Sequence, residues 1–118
     1  MVELRERAAV VTGGANGIGR ALARSLAGAG ASVAIADLDV AGAEALRDEI
    51  VADGGRAIAA RCDVARDDEV QALADTVHEQ LGDVAVLCNN AGIGGGLGAE
   101  AIDVGLSDWE AVLGVNLF

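Results

Sequence analysis

The feature that most constrains this chain is an apolar run leading into spaced glycines, in the segment Ala8-Ala9-Val10-Val11-Thr12-Gly13-Gly14-Ala15-Asn16-Gly17-Ile18-Gly19. A helical apolar pattern begins at Ile18 and recurs on one helix face, at Ala21, Leu22, Ser25, Leu26 and Ala29. The segment therefore predicts a strand, a glycine-rich turn and a helix. This arrangement suits a phosphate group, because the first N–H groups of a helix lack an intrahelical partner and carry partial positive charge.

The glycines of this turn have separable roles in such a site. Gly13 permits the tight turn, Gly17 leaves out the Cβ that would block a phosphate, and Gly19 lets the helix lie close to the sheet. The spacing Gly-x-x-x-Gly-x-Gly differs from the general dinucleotide fingerprint, and a P-loop is excluded because the sequence has no Lys. The alternative interpretation is a tight turn that glycine permits without any ligand.

The remaining pattern alternates strands with helices. Apolar runs predict strands at residues 32–36, 57–62 and 84–88, and helical stripes predict helices at residues 41–52, 67–81 and from 107 onward. Such alternation implies a parallel sheet with right-handed crossovers. We therefore expect an α/β fold: a Rossmann-type doubly wound sheet of strand order 3-2-1-4 in three αβα layers, with ligands beyond the carboxyl ends of its strands.

Asp37 follows the second predicted strand and lies 18 residues after Gly19. An acid about 20 residues beyond the glycines is expected to accept hydrogen bonds from a ribose, and its charge repels a 2′-phosphate. Residues 14–16 include no Arg that could hold such a phosphate, and Leu38 stands next to the acid. These observations favour NAD over NADP. The alternative is that Asp37 acts only as a helix cap.

Two further strand ends carry polar residues. Asp63 could accept a hydrogen bond from an adenine amino group while Val64 covers the ring, although Asp at a strand end also serves turns. The fourth strand ends in Asn89-Asn90-Ala91-Gly92. The amides could tie this strand to the turn at Thr12 or contact a nicotinamide-side ribose, and the small Ala91 and Gly92 would let a ligand come close.

Asn116 is a polar residue on the apolar face of the last predicted helix, which a capping box opens at Ser107. A buried amide is costly unless it is hydrogen-bonded, so Asn116 is expected to have a partner. The spacing leaves open whether that partner is backbone, water or a catalytic group.

Composition excludes several classes of function. The net charge of −11 disfavours nucleic acid and anionic membranes as partners. No apolar run reaches the roughly 20 residues of a membrane span, and no signal-peptide pattern or metal-binding pattern is present. Cys62 and Cys88 are predicted to be free thiols in a reducing compartment, which together with these absences predicts a cytoplasmic protein.

Taken together, these motifs resemble the classical short-chain dehydrogenases/reductases, and the resemblance covers the whole chain. It implies NAD bound with its pyrophosphate at residues 13–18, adenosine ribose at Asp37, adenine at Asp63 and Val64, and nicotinamide ribose at Asn90. Asn116 matches the family's helix asparagine, which holds a water in a proton relay to the catalytic lysine. The family transfers a hydride between nicotinamide and an alcohol or carbonyl carbon, and commonly pairs into homo-oligomers through the helix that begins here at Ser107.

One departure from the family concerns catalysis. The family's Ser and its Tyr-x-x-x-Lys follow the asparagine, and this sequence contains no Tyr and no Lys. We therefore expect residues 1–118 to be the dinucleotide-binding half of an enzyme whose C-terminal part is absent, inactive alone and with the fourth strand as an open edge. Two alternatives stay open: a non-catalytic NAD-binding module, and another nucleotide-binding α/β protein such as a methyltransferase using adenosylmethionine.

Overall fold

The computed structural model describes residues 4–89, which form alternating strands and helices. In chain order these are β1 (Ala8–Thr12), α1 (Gly17–Gly28), β2 (Ser32–Asp37), α2 (Val40–Ala52), β3 (Arg56–Arg61), α3 (Asp67–Leu81) and β4 (Val84–Asn89). Asn90, Ala91, Gly92, Asn116 and the helix predicted from Ser107 lie outside the described residues.

The strands within residues 4–89 form one parallel sheet of order β3-β2-β1-β4, so the predicted fold class and strand order are confirmed. In the register of this sheet Thr12 lies beside Ala36, and Asp37 lies beside Arg61. Because the strands are parallel, the segments that follow β1, β2 and β3 emerge along one edge. β3 runs one residue earlier than predicted, and Cys62 already belongs to the loop that follows it.

Both faces of the sheet are covered, which is why its strands are almost continuously apolar. Alternate residues of β1 and β2 face opposite sides, as strand geometry requires. One side packs on α3 and the other on α1 and α2. The first cluster includes Ala8, Val10, Ala34, Ala36, Val70, Leu73 and Val77. The second includes Ala9, Val11, Val33, Ile35, Ala23, Leu46 and Ile50.

Helix α1 buries a face that is shifted from the predicted one: Leu22 and Leu26 of the predicted stripe are half-buried, and Leu26 packs against the second cluster. Ile18, which opened the predicted stripe, is 73% exposed, whereas Gly19 and Ala23 are buried. Ala21, Ser25 and Ala29 of that stripe are also exposed. The small residues let the helix axis approach the sheet closely, so close packing rather than the largest apolar side chains selects the buried face. The helix and the placement of Gly19 towards the sheet were predicted correctly, whereas the outer members of the stripe were not.

The ends of α2 and α3 follow from local chemistry. Asp39 caps α2, its carboxylate accepting a hydrogen bond from the Gly42 backbone N–H at 3.0 Å. The face of α3 that packs on the sheet is formed by the buried residues Val70, Leu73, Ala74 and Val77. Gly82 ends α3 with a φ of 91°, a conformation that glycine adopts without strain. No helix in residues 4–89 is long and apolar enough to span a membrane.

Gly14 provides a test of the packing beneath the glycine-rich turn. A Cβ at this position would lie 3.0 Å from Ile35 Cγ2 and 3.3 Å from the Val11 carbonyl oxygen, and both neighbours are fully buried. We expect Gly14→Ala to lower the free energy of unfolding by about 1–3 kcal/mol in urea titrations, through overpacking.

Gly28→Ala is the matched control, because a Cβ there meets nothing within 4 Å. It should leave the free energy of unfolding unchanged or raise it by up to about 1 kcal/mol. Equal effects of the two substitutions would contradict the close packing described for the turn.

Candidate functional site

The glycine-rich turn after β1 has the backbone conformation that its glycines allow. Gly13 has a φ of 64° and Gly17 a φ of 58°, both in the left-handed region where other residues are strained. The Gly13 N–H donates to the Ala36 carbonyl oxygen at 2.8 Å, which fixes the turn against β2. A Cβ at Gly17 would meet no atom within 4 Å, so the space beside this residue is open.

The N-terminus of α1 lacks the local acidic or capping groups that the other two described helices have. Asn16 occupies the cap position with an extended backbone, and its side chain makes no capping hydrogen bond. The first turn contains no acidic residue, whereas α2 is capped by Asp39 and α3 begins with three acidic residues. Asn16, Gly17 and Ile18 are exposed. The backbone N–H groups and the helix dipole at this end are thus suited to an external anion.

Asp37 joins the end of β2 to this turn. Its Oδ2 accepts a hydrogen bond from the Ala15 backbone N–H at 3.0 Å, and its Oδ1 accepts one from the Asp39 N–H at 2.9 Å. The cap of α2 is Asp39, so Asp37 is not that helix's cap. A carboxylate has about four acceptor sites, which leaves capacity for hydroxyl donors beyond these two N–H groups. Leu38, 57% exposed, adjoins it and presents an apolar surface.

The loop between β3 and α3 carries the other predicted site residues. Asp63 Oδ1 accepts a hydrogen bond from the Ala65 N–H at 3.0 Å, so the turn chemistry that the sequence left open is present here. Val64 is half-buried and packs against the cluster beneath α3. Asp63 and Val64 therefore lie in a loop with a defined local structure, following the strand adjacent to Asp37.

Two charged residues in this region were missed by the sequence analysis. Arg61 is in register with Asp37 on the neighbouring strand, and its Nη1 lies 2.7 Å from Glu69 Oε1. Glu69 also accepts a hydrogen bond from the Asp63 N–H at 3.0 Å. The only sign of these contacts in the sequence is that Glu69 lies in the first turn of α3. An acidic residue at that position ordinarily indicates interaction with the helix dipole.

Thr12 connects the turn to β4. Its buried hydroxyl donates to the Cys88 carbonyl oxygen over a long distance of 3.5 Å, and Thr12 is in register with Asn89. The Thr12 hydroxyl thus provides one contact between the turn and the fourth strand. The amide of Asn89 and the whole of Asn90, for which the sequence suggested such a link, lie outside the part of the chain that the structure describes.

The two cysteines are free thiols, as predicted. Cys62, 3% exposed, has its pKa raised from 9.0 to about 11, first by burial and then by the negative charges of Glu69 and Asp63. Burial also raises the pKa of Cys88. Both thiols are thus protonated near neutral pH. Residues 4–89 contain no group of three His, Cys, Asp or Glu side chains that could hold a metal ion.

Comparison with known proteins identifies a matching family model and several similar proteins. The sequence model of the family described as short chain dehydrogenase matches residues 7–118. The 7alpha-hydroxysteroid dehydrogenase of Escherichia coli K12 is 38% identical over 117 residues, which cover 99% of this chain and 45% of that protein. The chain spans less than half the length of the curated relatives it matches, 34% to 47% among those compared.

Solved structures agree with this relationship. A short chain dehydrogenase/reductase from Burkholderia phymatum in complex with NAD superposes with a TM-score of 0.85 at 30% identity, covering 96% of this chain and 46% of that one. A metagenomic short-chain oxidoreductase in complex with NADP gives a TM-score of 0.74 at 43% identity, covering 79% of this chain and 42% of that one. Similar structures thus contain either dinucleotide.

The raised pKa of Cys62 predicts a loss of stability in alkali. The sequence has no Tyr and no Lys, so the thiols are the side chains that titrate between pH 9 and pH 11. Below pH 9 the Cys62 thiol is protonated in both states, and above it only the unfolded chain loses the proton. The free energy of unfolding should therefore fall by about 2–3 kcal/mol as the pH rises from 9.0 to about 11.

Denaturant titrations across this pH range measure the effect, and Cys62→Ala provides the comparison. The variant should lose most of the pH dependence and keep only the part due to Cys88. An identical slope in the two proteins would show that Cys62 does not titrate as its burial requires.

Proposed function

This chain belongs to the short-chain dehydrogenase family, and on that basis we propose that it provides the dinucleotide-binding part of an NAD(H)-dependent oxidoreductase. The observation that carries the proposal is the Asp37 carboxylate, bonded at 3.0 Å to the Ala15 N–H beside the start of α1. It brings the acid expected to hold the adenosine ribose next to the N–H groups expected to hold the pyrophosphate.

The described residues fit such a cofactor. The turn of residues 13–18, which includes Gly13, Asn16, Gly17 and Ile18, would bind the pyrophosphate through backbone N–H groups, while buried Gly19 keeps α1 near the sheet. Asp37 would accept hydrogen bonds from the ribose hydroxyls. Leu38 and Val64 would lie against the adenine, and Asp63 would accept a hydrogen bond from its amino group.

The family assigns further contacts to residues beyond the described part of the chain. Asn90, with the small Ala91 and Gly92, would contact the nicotinamide-side ribose. Asn116 would hold a water of the proton relay, which makes it the catalytic candidate in this sequence. When bound, NAD supplies the nicotinamide carbon that exchanges a hydride with an alcohol or carbonyl substrate.

We propose NAD rather than NADP as the cofactor. A 2′-phosphate would lie near the negative charge of Asp37, and the nearest strand cation, Arg61, is already paired with Glu69 at 2.7 Å. The pair reduces the positive charge that Arg61 could offer to a phosphate. Since similar structures hold either dinucleotide, this preference rests on the charges of this chain.

The substrate we propose is a small-molecule alcohol or carbonyl compound, and the setting a cytoplasmic homo-oligomer. The support for the substrate class is the family and relatives such as the hydroxysteroid dehydrogenase. The support for the exclusion of nucleic acid and anionic membranes is the net charge of −11.

Calorimetry with NAD, NADP and adenosylmethionine tests the cofactor assignment. Asp37→Asn keeps the shape and one acceptor but removes the charge, so NAD affinity should fall by about 1–3 kcal/mol. NADP should gain relative to NAD, because the repulsion of its 2′-phosphate is lost. Asp75→Asn, an exposed change on α3, is the control and should alter neither affinity.

Unchanged NAD affinity in Asp37→Asn would remove Asp37 from the site. Tighter binding of adenosylmethionine than of NAD by the unmodified chain would overturn the dinucleotide assignment and favour the methyltransferase alternative.

We further propose that the 118-residue polypeptide does not catalyse hydride transfer by itself, because it contains neither the Tyr nor the Lys of the family's acid–base machinery. Incubation with NAD and a panel of secondary alcohols should produce no NADH, as measured by the ultraviolet absorbance of the reduced nicotinamide. NADH formation by the purified chain would contradict this.

A further inference from the structure

Glu69 in the first turn of α3 contacts both ends of the loop that joins β3 to α3. Its Oε1 accepts hydrogen bonds from Arg61 Nη1 at 2.7 Å and from the Asp63 backbone N–H at 3.0 Å. Its Oε2 lies 3.1 Å from Arg66 Nε. One carboxylate therefore connects the last residue of β3, the loop and the residue that precedes α3.

Of these contacts, the hydrogen bond from the Asp63 N–H matters most for the position of the loop. Arg61 and Arg66 are both more than half exposed, and ion pairs to such side chains contribute little. The Glu69 side chain is only 22% exposed, and a hydrogen bond from a backbone N–H to a carboxylate is among the stronger kinds. Glu69 thus fixes the backbone of Asp63 directly.

The position of the Asp63 carboxylate depends on this backbone. Asp63 Oδ1 is held by the Ala65 N–H at 3.0 Å, which sets the orientation of the side chain relative to the loop. Val64 is anchored by its packing against the cluster beneath α3. With its backbone fixed by Glu69 and its side chain by Ala65, the Asp63 carboxylate has a defined place at the edge of the sheet.

We propose that Glu69 is a positioning residue that makes this site selective for adenine. By holding the β3–α3 loop, it keeps the Asp63 carboxylate where it can accept a hydrogen bond from the 6-amino group. The inference rests on the proposed function, because it takes the adenine of NAD to lie at Asp63 and Val64.

The experiment compares NAD with nicotinamide hypoxanthine dinucleotide, which carries a carbonyl oxygen in place of the 6-amino group. The unmodified chain should bind NAD about tenfold more tightly, since a carboxylate accepts from the amino group and repels the carbonyl. Glu69→Ala should bring that ratio close to one, mainly by weakening NAD. Isothermal calorimetry measures both affinities.

Two further variants separate positioning from general destabilisation. Glu69→Gln retains an oxygen that accepts from the Asp63 N–H, so it should keep most of the preference although the pairs with Arg61 and Arg66 are weakened. Glu79→Ala removes an exposed carboxylate from the same helix and should behave as the unmodified chain. Melting temperatures recorded without ligand establish that each variant is folded.

The possible outcomes separate a failure of the inference about Glu69 from a failure of the proposed function. A parallel loss of both affinities in Glu69→Ala, or an unchanged ratio, would show that Glu69 does not position Asp63 and would overturn the inference. Equal binding of the two dinucleotides by the unmodified chain would also overturn it while leaving the proposed function intact. Binding of neither dinucleotide by the unmodified chain would instead be a failure of the proposed function.

Discussion

The hydrogen bond from the Ala15 N–H to Asp37 Oδ2, at 3.0 Å, is the interaction on which the arrangement of the candidate site depends. It joins the turn after β1 to the end of β2, so the start of α1 and the carboxylate are held in one arrangement. The bond from the Gly13 N–H to the Ala36 carbonyl oxygen supports the same junction. Together with the pairing of β1 and β2, these links fix the positively charged end of the helix relative to the acid that we propose to bind the ribose.

Two neighbouring acids, Asp37 and Asp39, have different roles at this junction. Asp39 satisfies the Gly42 N–H and caps α2, which leaves Asp37 to face the glycine-rich turn. Farther along the same edge, Glu69 accepts a hydrogen bond from a backbone N–H of the β3–α3 loop, just as Asp37 accepts one from the glycine-rich turn. Carboxylates at this edge therefore organise the loops as well as offering acceptors to a ligand.

The sequence was sufficient to predict the sheet but not to predict in detail how the helices pack on it. Strand order could be predicted because buried parallel strands are continuous apolar runs and their connections are stereotyped. The buried face of α1 could be predicted only in part. Gly19 was expected to lie near the sheet, but Ala23 is buried for its small size while Ile18 is exposed, and periodicity counts only apolar character. The role of Glu69 depends on the path of a loop, which no local pattern encodes.

We propose that a diphosphate binds at the start of α1 with its adenosine ribose on Asp37. Two-dimensional NMR of the ¹⁵N-labelled chain titrated with NAD tests it directly. We predict the largest amide shifts at Gly13, Ala15, Gly17 and Asp37, followed by Asp63 and Val64. Shifts confined to other parts of the sheet, or none at millimolar NAD, would contradict the account.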